Sequence, residues 1–218
     1  IGIAISGGKD SLTLLYLLNK LKDKKRFNIE TLLIDEGIKG YRDKTIIDAK
    51  KFCKQLNVKL NIVSYKDEFN YTLDELIKKL KMKPCSICGV FRRYLINKYS
   101  RKLNFDKVAT GHNLDDEAQT ILMNQFRNNP EISARLGPIT GIKDNKKFIR
   151  RIKPLYLLSE KEVTAYAYLR NFNITFCECP YNTEAYRINV REFINNFEEK
   201  YPGTKHSVIN SFLEIMPM

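Results

Sequence analysis

Ser6-Gly7-Gly8-Lys9-Asp10-Ser11 lies directly between a short apolar run and a stretch of helical periodicity. Two glycines let the backbone turn tightly and point successive amides at an anion. The opening of the following helix adds partial positive charge, and Ser6, Lys9 and Ser11 supply further donors. The chemistry is that of a phosphate cradle. Its spacing departs from GxxxxGK[ST], since Lys9 directly follows the second Gly, and from GxGxxG, which disfavours a kinase-like P-loop and a dinucleotide fold. The plainer reading is a Gly-Gly pair that closes a strand-to-helix turn, with Asp10 or Ser11 as cap.

A second polar segment, Gly111-His112-Asn113-Leu114-Asp115-Asp116-Glu117, follows another apolar run and opens another helix. Acidic residues in a first helical turn are favoured by the helix dipole, so capping is one reading. The functional one is that three carboxylates beside a phosphate cradle carry Mg²⁺, an ion that phosphate and carboxylate oxygens share well. Of the two histidines, His112 reads as a core or capping residue before a catalytic one, and His206 as structural or exposed. Cys85 and Cys88 form a CxxC in a loop entering a helix, where amides and the dipole favour thiolate. That motif alone is open between zinc, redox exchange and an iron–sulfur site. Cys177 and Cys179 offer further ligands, while Cys53 reads as a core residue on its helical face.

The elements that must position these groups follow from periodicity. Apolar runs at Gly2–Ile5, Thr31–Ile34, Leu60–Val63 and Lys107–Thr110 read as strands. Helical spacing follows each of them: from Leu14 to Leu21, Tyr41 to Leu56, Leu73 to Leu80 with a further helix from about Cys88 to Leu103, and Leu114 to Phe126. Such alternation predicts an α/β fold, a parallel sheet with helices on both faces. Ligands of such sheets sit beyond the carboxyl ends of the strands. The turn after Ile5, Asp35 after Ile34 and Gly111-His112 after Thr110 all fall at such ends. Beyond a soft boundary near Gln125 the chain becomes an irregular basic connection, then mostly helical: a Ser159/Glu162 capping box opens a helix to about Phe172, and two more are expected over Tyr186–Lys200 and Thr204–Ile215. The expected division is residues 1–125 as the nucleotide domain and 126–218 as the extension.

With 218 residues, 43% of them hydrophobic, the chain has the composition of a packed globular protein and not of a disordered one. The 38 Lys+Arg against 25 Asp+Glu leave +13, spread along the chain, which makes polyanions the natural partners. Lys143, Lys146, Lys147, Arg150, Arg151 and Lys153 cluster in the connection, and Arg187 and Arg191 share a helical face, as a phosphate backbone would require. Five cysteines in this arrangement do not resemble a secreted disulfide framework and suit a reducing compartment. No apolar run approaches bilayer-spanning length, so a cytoplasmic protein is expected. A chain that opens without Met inside an apolar strand reads as part of a longer product.

The hexapeptide at Ser6–Ser11 resembles the pyrophosphatase loop of enzymes that split ATP between the α and β phosphates. Three further blocks are more specific: Cys85-Ser86-Ile87-Cys88-Gly89-Val90-Phe91-Arg92-Arg93; Thr110-Gly111-His112-Asn113-Leu114-Asp115-Asp116-Glu117-Ala118-Gln119-Thr120; and Glu178-Cys179-Pro180-Tyr181 with Tyr186-Arg187 and Arg191-Glu192-Phe193. Together, in this order, they resemble the tRNA 2-thiouridine synthetases, the group of the archaeal and eukaryotic wobble-uridine thiolases and the thermophile T-loop enzyme. That resemblance implies an ATP-dependent tRNA uridine 2-sulfurtransferase with a PP-loop fold. ATP would bind through Ser6, Gly7, Gly8, Lys9, Asp10 and Ser11, with Asp35 and Gly111 near the nucleotide and Asp10 and Asp116 on Mg²⁺. Arg92 would stabilise developing charge. Cys85, Cys88 and, by its Glu-Cys-Pro-Tyr match, Cys179 would hold a 4Fe-4S cluster, with Cys177 an extra thiol two residues away. The implied partners are tRNA, sulfide or a sulfur-carrier protein as donor, and a second copy of the chain in a homodimer, with no membrane. The zinc ribbons that end family members have no counterpart between Ile1 and Met218. The alternatives are a 2-thiocytidine synthetase-like enzyme, although that group reads Gly-His-His-Arg-Asp-Asp where this chain has Gly111-His112-Asn113-Leu114-Asp115-Asp116; an amide-forming ligase using the same loop; and a zinc-stabilised RNA-binding module.

Overall fold

The computed structural model describes residues 1–141, 148–172, 174–175, 178–182 and 185–215, so Cys177, Lys143, Lys146 and Lys147 lie outside the described residues. At the centre is β1 (Gly2–Ile5), flanked in parallel by β2 (Glu30–Asp35) and β4 (Lys107–Thr110). Outside β2 lies β3 (Leu60–Ser64), and outside β4 lies β6 (Arg150–Ile152), both parallel to their neighbours. The short β5 (Ile139–Thr140) closes the edge antiparallel to β6, giving the order β3-β2-β1-β4-β6-β5. Chain order reverses between β1 and β4, so the turns leaving these two strands face one crevice, where such sheets place ligands.

Alternation along β2 shows why the sheet needs cover on both sides. Leu33 packs with Ile3, Ile5, Leu12 and Leu15 under α1 (Lys9–Lys25), α2 (Arg42–Gln55) and α8 (Glu160–Leu169). Leu32 and Ile34 face the other way, onto Val63, Tyr65, Leu73 and Leu95 of the layer containing α3 (Tyr65–Phe69), α4 (Leu73–Leu80) and α5 (Pro84–Lys102). A third cluster joins Leu114, Ala118 and Ile121 of α6 (Leu114–Phe126) to Ile194 of α9 (Ala185–Lys200) and to Ile209 and Phe212 of α10 (Thr204–Ile215).

The parallel α/β sheet with helices on both faces and C-terminal helices is as expected, with three local differences. Pro84 starts α5 at its first turn, where a missing N–H costs nothing, so the CxxC lies within the helix and not in a loop before it. The connection expected to be irregular contributes β5 and β6, which are two and three residues long and too short to show a period. Two short helices, α3 and α7 (Pro130–Ser133), were likewise invisible to periodicity.

The C-terminal helices are tied to α6 by charge as well as by apolar packing. Lys205 and Asp115, each less than a tenth exposed, form a buried ion pair, and Asp115 also accepts the Glu160 amide at 2.6 Å. Removing one partner of such a pair strands a charge in the interior. Lys205→Met is therefore expected to lower the unfolding free energy by about 3 kcal/mol in urea denaturation, and a loss below about 1 kcal/mol would contradict the assignment.

Candidate active site

The turn after β1 is held in shape by its own hydroxyls. Ser11 Oγ accepts the Ser6 amide at 3.1 Å and donates to the Gly8 carbonyl at 2.9 Å, while the Ser6 hydroxyl lies 3.2 Å from Ser11 Oγ. Gly8 caps α1 without a side-chain hydrogen bond, which leaves the helix's first amides to an external acceptor. From behind, the first turn of α2 presses on this loop. Arg42 donates to the Ser6 carbonyl at 2.8 Å, and the Thr45 carbonyl fills the space beside Gly7, where a Cβ would stand 2.2 Å from it. Gly7 also has φ +84°, so only glycine suits the position.

Across the crevice, the turn after β4 touches the loop directly: a Cβ on Gly111 would lie 3.0 Å from Asp10 C and Ser11 N. The two turns are further joined through Asn113, which donates to Asp10 Oδ1 at 3.2 Å. Lys9 Nζ bridges Asp10 at 3.0 Å and Glu160 at 2.9 Å. Burial works against the Lys9 charge, but the two carboxylates outweigh it and hold its pKa above the ordinary value. Burial raises the pKa of Asp10 and of Asp116, against the opposing pull of Lys9 and Arg187 respectively. Such desolvated carboxylates gain from an added cation.

The three adjacent carboxylates of α6 divide into separate tasks. Asp115 is buried against Lys205, and Glu117 is buried against Lys153 at 2.8 Å, so neither faces the cradle as a Mg²⁺ ligand would. Asp116 takes the capping role and stays beside Asp10. One oxygen completes a capping box with Asn113, and the other receives Arg187 at 3.0 Å beside Asp10. Asp35 Oδ1 accepts the Gly37 amide at 2.8 Å, which shapes the turn leaving β2. His112 Nδ1 lies 2.9 Å from Thr110 Oγ1. Crowding in the cleft and then the charges of Lys153, Arg92, Arg187 and Arg151 push its pKa down to about 4, so the ring is neutral at pH 7 although part of it is open to the cleft. His206 is exposed, as expected, with Nε2 3.3 Å from the Leu157 carbonyl.

Cys85, Cys88 and Cys179 border one corner of the structure. The Cys85 thiol donates to the Tyr181 carbonyl at 3.4 Å, and Cys88 and Cys179 pack against the same apolar cluster. Tyr65, the residue after β3, donates to the Cys88 carbonyl at 3.0 Å and seats the CxxC over the strand ends. Burial pushes the Cys88 thiol up to about 11 despite the neighbouring Arg92 guanidinium. Arg92, one turn further along α5, is half-exposed, with Nη1 3.8 Å from Glu36. Three thiols in an apolar corner fit a soft-metal or iron–sulfur group in kind. Among the described residues no three His, Cys, Asp or Glu side chains are grouped closely enough to hold a metal ion. Cys53 is buried and free, as read from its helical face.

Sequence reasoning missed Glu160, Asn113, Glu36 and Arg42. Lys9 and Glu160 are 151 residues apart, so no local pattern connects them. Asn113 stood inside a recognised block, and its capping geometry was the available signal.

The sequence profile of the PP-loop domain matches residues 1–197. The chain belongs to the PP-loop family. A probable sulfurtransferase of Methanocaldococcus jannaschii is 42% identical over 99% of this chain and 64% of its own length. The tRNA-5-methyluridine(54) 2-sulfurtransferase of Pyrococcus horikoshii is also 42% identical, over 97% of this chain and 66% of its own length. This PP-loop chain thus spans just under two-thirds of both relatives. The solved structure of the U34-tRNA thiolase NcsA from Methanococcus maripaludis with its 4Fe-4S cluster matches with a TM-score of 0.87 at 36% identity, covering 98% of this chain and 70% of that one.

Gly7→Ala is expected to abolish nucleotide binding in isothermal titration with the non-hydrolysable analogue, because the new methyl group meets the Thr45 carbonyl. Gly40→Ala also sits at positive φ but in open space, and should bind normally. Equal binding by both variants would show that the turn is not the cradle.

Proposed function

We propose that this chain is the catalytic core of a cytoplasmic, ATP-dependent tRNA uridine 2-sulfurtransferase that works as a homodimer. One observation carries the reading: the anion-binding turn after β1 and the thiol corner over the ends of β2 and β3 open on the same edge of one sheet. The PP-loop family, the tRNA sulfurtransferase names among its relatives and the +13 charge agree with it. No helix among the described residues is long and apolar enough to cross a membrane.

In this reading the amides of the loop, with Ser6, Lys9 and Ser11, bind the phosphates of ATP, and Asp10 and Asp116 hold Mg²⁺. Lys9 turns from Glu160 towards the phosphates. The uridine O2 attacks the α phosphorus, the bond to the β phosphate breaks, and pyrophosphate leaves. An incoming sulfide then adds at C2, and the C–O bond breaks to release AMP, so one oxygen leaves the base for each sulfur that enters. Cys85, Cys88 and Cys179 would hold a 4Fe-4S cluster, which supplies a site for the sulfur arriving as sulfide or from a carrier protein. Arg92, one turn beyond Cys88 on α5, would offset the charge that develops as AMP departs.

The test is anaerobic reconstitution of the full-length protein, with iron analysis and mass spectrometry of tRNA nucleosides. Asp10→Ala should lose AMP formation and keep its iron. Cys179→Ala should lose iron and 2-thiouridine together, and Cys177→Ala should keep most of both. Iron-free, fully active protein, or equal loss of metal from both cysteine variants with no labile sulfide in the parent, would overturn the reading and favour zinc.

A further inference from the structure

Glu36 is the residue after β2, is 1% exposed, and was not singled out by any sequence motif. A carboxylate that deep is costly unless cations or hydrogen bonds offset its desolvation. Here the compensation comes from two arginines on different elements. Arg42 Nη2, at the start of α2, lies 2.5 Å from Glu36 Oε2, and the same guanidinium donates through Nη1 to the Ser6 carbonyl at 2.8 Å and to Thr45 Oγ1 at 3.1 Å. Arg92 Nη1, on α5 one turn beyond Cys88, stands 3.8 Å from Glu36 Oε1, beyond hydrogen-bond range. Neither oxygen of Glu36 receives a well-aligned hydrogen bond, so Oε1 keeps an unfilled acceptor on the side of the half-exposed Arg92. The loop that would bind ATP and the helix that carries the CxxC thus meet at one buried carboxylate, along the path Ser6–Arg42–Glu36–Arg92.

We infer that Glu36 is a positioning residue for sulfur insertion: it holds Arg42 against the nucleotide loop with one oxygen and aims Arg92 at the space between the loop and the cysteines with the other. The assignment rests on the sulfurtransferase reading for its activity readout. The division of labour predicts unequal effects. Arg42 keeps two other acceptors, Ser6 O and Thr45 Oγ1, so the nucleotide loop retains its shape when Glu36 loses its charge. Arg92 has no other ion pair among the described residues, and its aim is lost.

Two readouts on the full-length protein test this. The first requires no turnover: the rate at which phenylglyoxal modifies Arg92, followed by peptide mass spectrometry, should rise in Glu36→Gln, with the shorter Glu36→Asp, which keeps the charge beside Arg42, as a second variant should the first fold poorly. The second is single-turnover formation of 2-thiouridine. Glu36→Gln should lower it at least about tenfold while the KM for ATP stays within about threefold, as expected when a charged group is misplaced without loss of binding. In Arg92→Met the same change should cost nothing further, since its effect runs through Arg92. An unchanged modification rate in both variants, a matching loss of ATP affinity, or losses that multiply in the double variant would each overturn the assignment. If the wild-type protein makes no 2-thiouridine, the sulfurtransferase reading fails, and the modification rate alone still decides whether Glu36 holds Arg92.

Discussion

The backbones of two turns touch where β1 and β4 leave the sheet, and the arrangement of the site depends on that contact. Gly111 lies so close to Asp10 and Ser11 that a Cβ there would stand 3.0 Å from their backbone, tighter than ordinary contact. Because β1 and β4 are neighbours, α1 and α6 start side by side, and the uncapped first turn of α1 opens into the crevice between them. Asn113 then reaches from one turn to Asp10 in the other, and Lys9 reaches across to α8. A side chain at position 111 would press on the Asp10–Ser11 backbone, and the loop would have to give by a few tenths of an ångström to admit it.

Charge balance explains why the crevice draws on so much of the chain. The α6 segment carries Asp115, Asp116 and Glu117 in succession, with Asp116 close enough to Asp10 to raise its pKa. Left alone, these groups would repel one another and pay for desolvation. Lys205 from α10, Lys153 after β6 and Arg187 from α9 each meet one of them. The cations come from elements far along the chain, so the C-terminal helices complete the electrostatics of a crevice whose glycine turn lies at residues 6–11. Only Asp10 and Asp116 are left facing the crevice with raised pKa values, as groups that a divalent cation would relieve.

The sheet and the cradle were legible in the sequence because their signals are local. Strand period, helix period and the placement of Gly7, Gly8 and Gly111 at strand ends need only a few neighbouring residues to be read. The spread of Asp115 and Glu117 away from the cradle was not legible, since it depends on Lys205 and Lys153, partners met only in the fold. Glu36 is the clearest case. It adjoins Asp35, yet nothing local distinguishes a solvated glutamate at a strand end from one buried between Arg42 and Arg92. The CxxC was legible as chemistry, but its place inside α5 depended on Pro84 acting as a helix start and not as a loop residue.

The central claim is that the crevice activates a base oxygen by adenylation, and the most direct measurement follows that oxygen. A tRNA transcript carrying oxygen-18 at O2 of its uridines, incubated anaerobically with the full-length protein, ATP and sulfide, should yield AMP that contains one labelled oxygen for each 2-thiouridine formed, with unlabelled pyrophosphate. Thiolated tRNA accompanied by unlabelled AMP, or label appearing in pyrophosphate or water, would contradict the account.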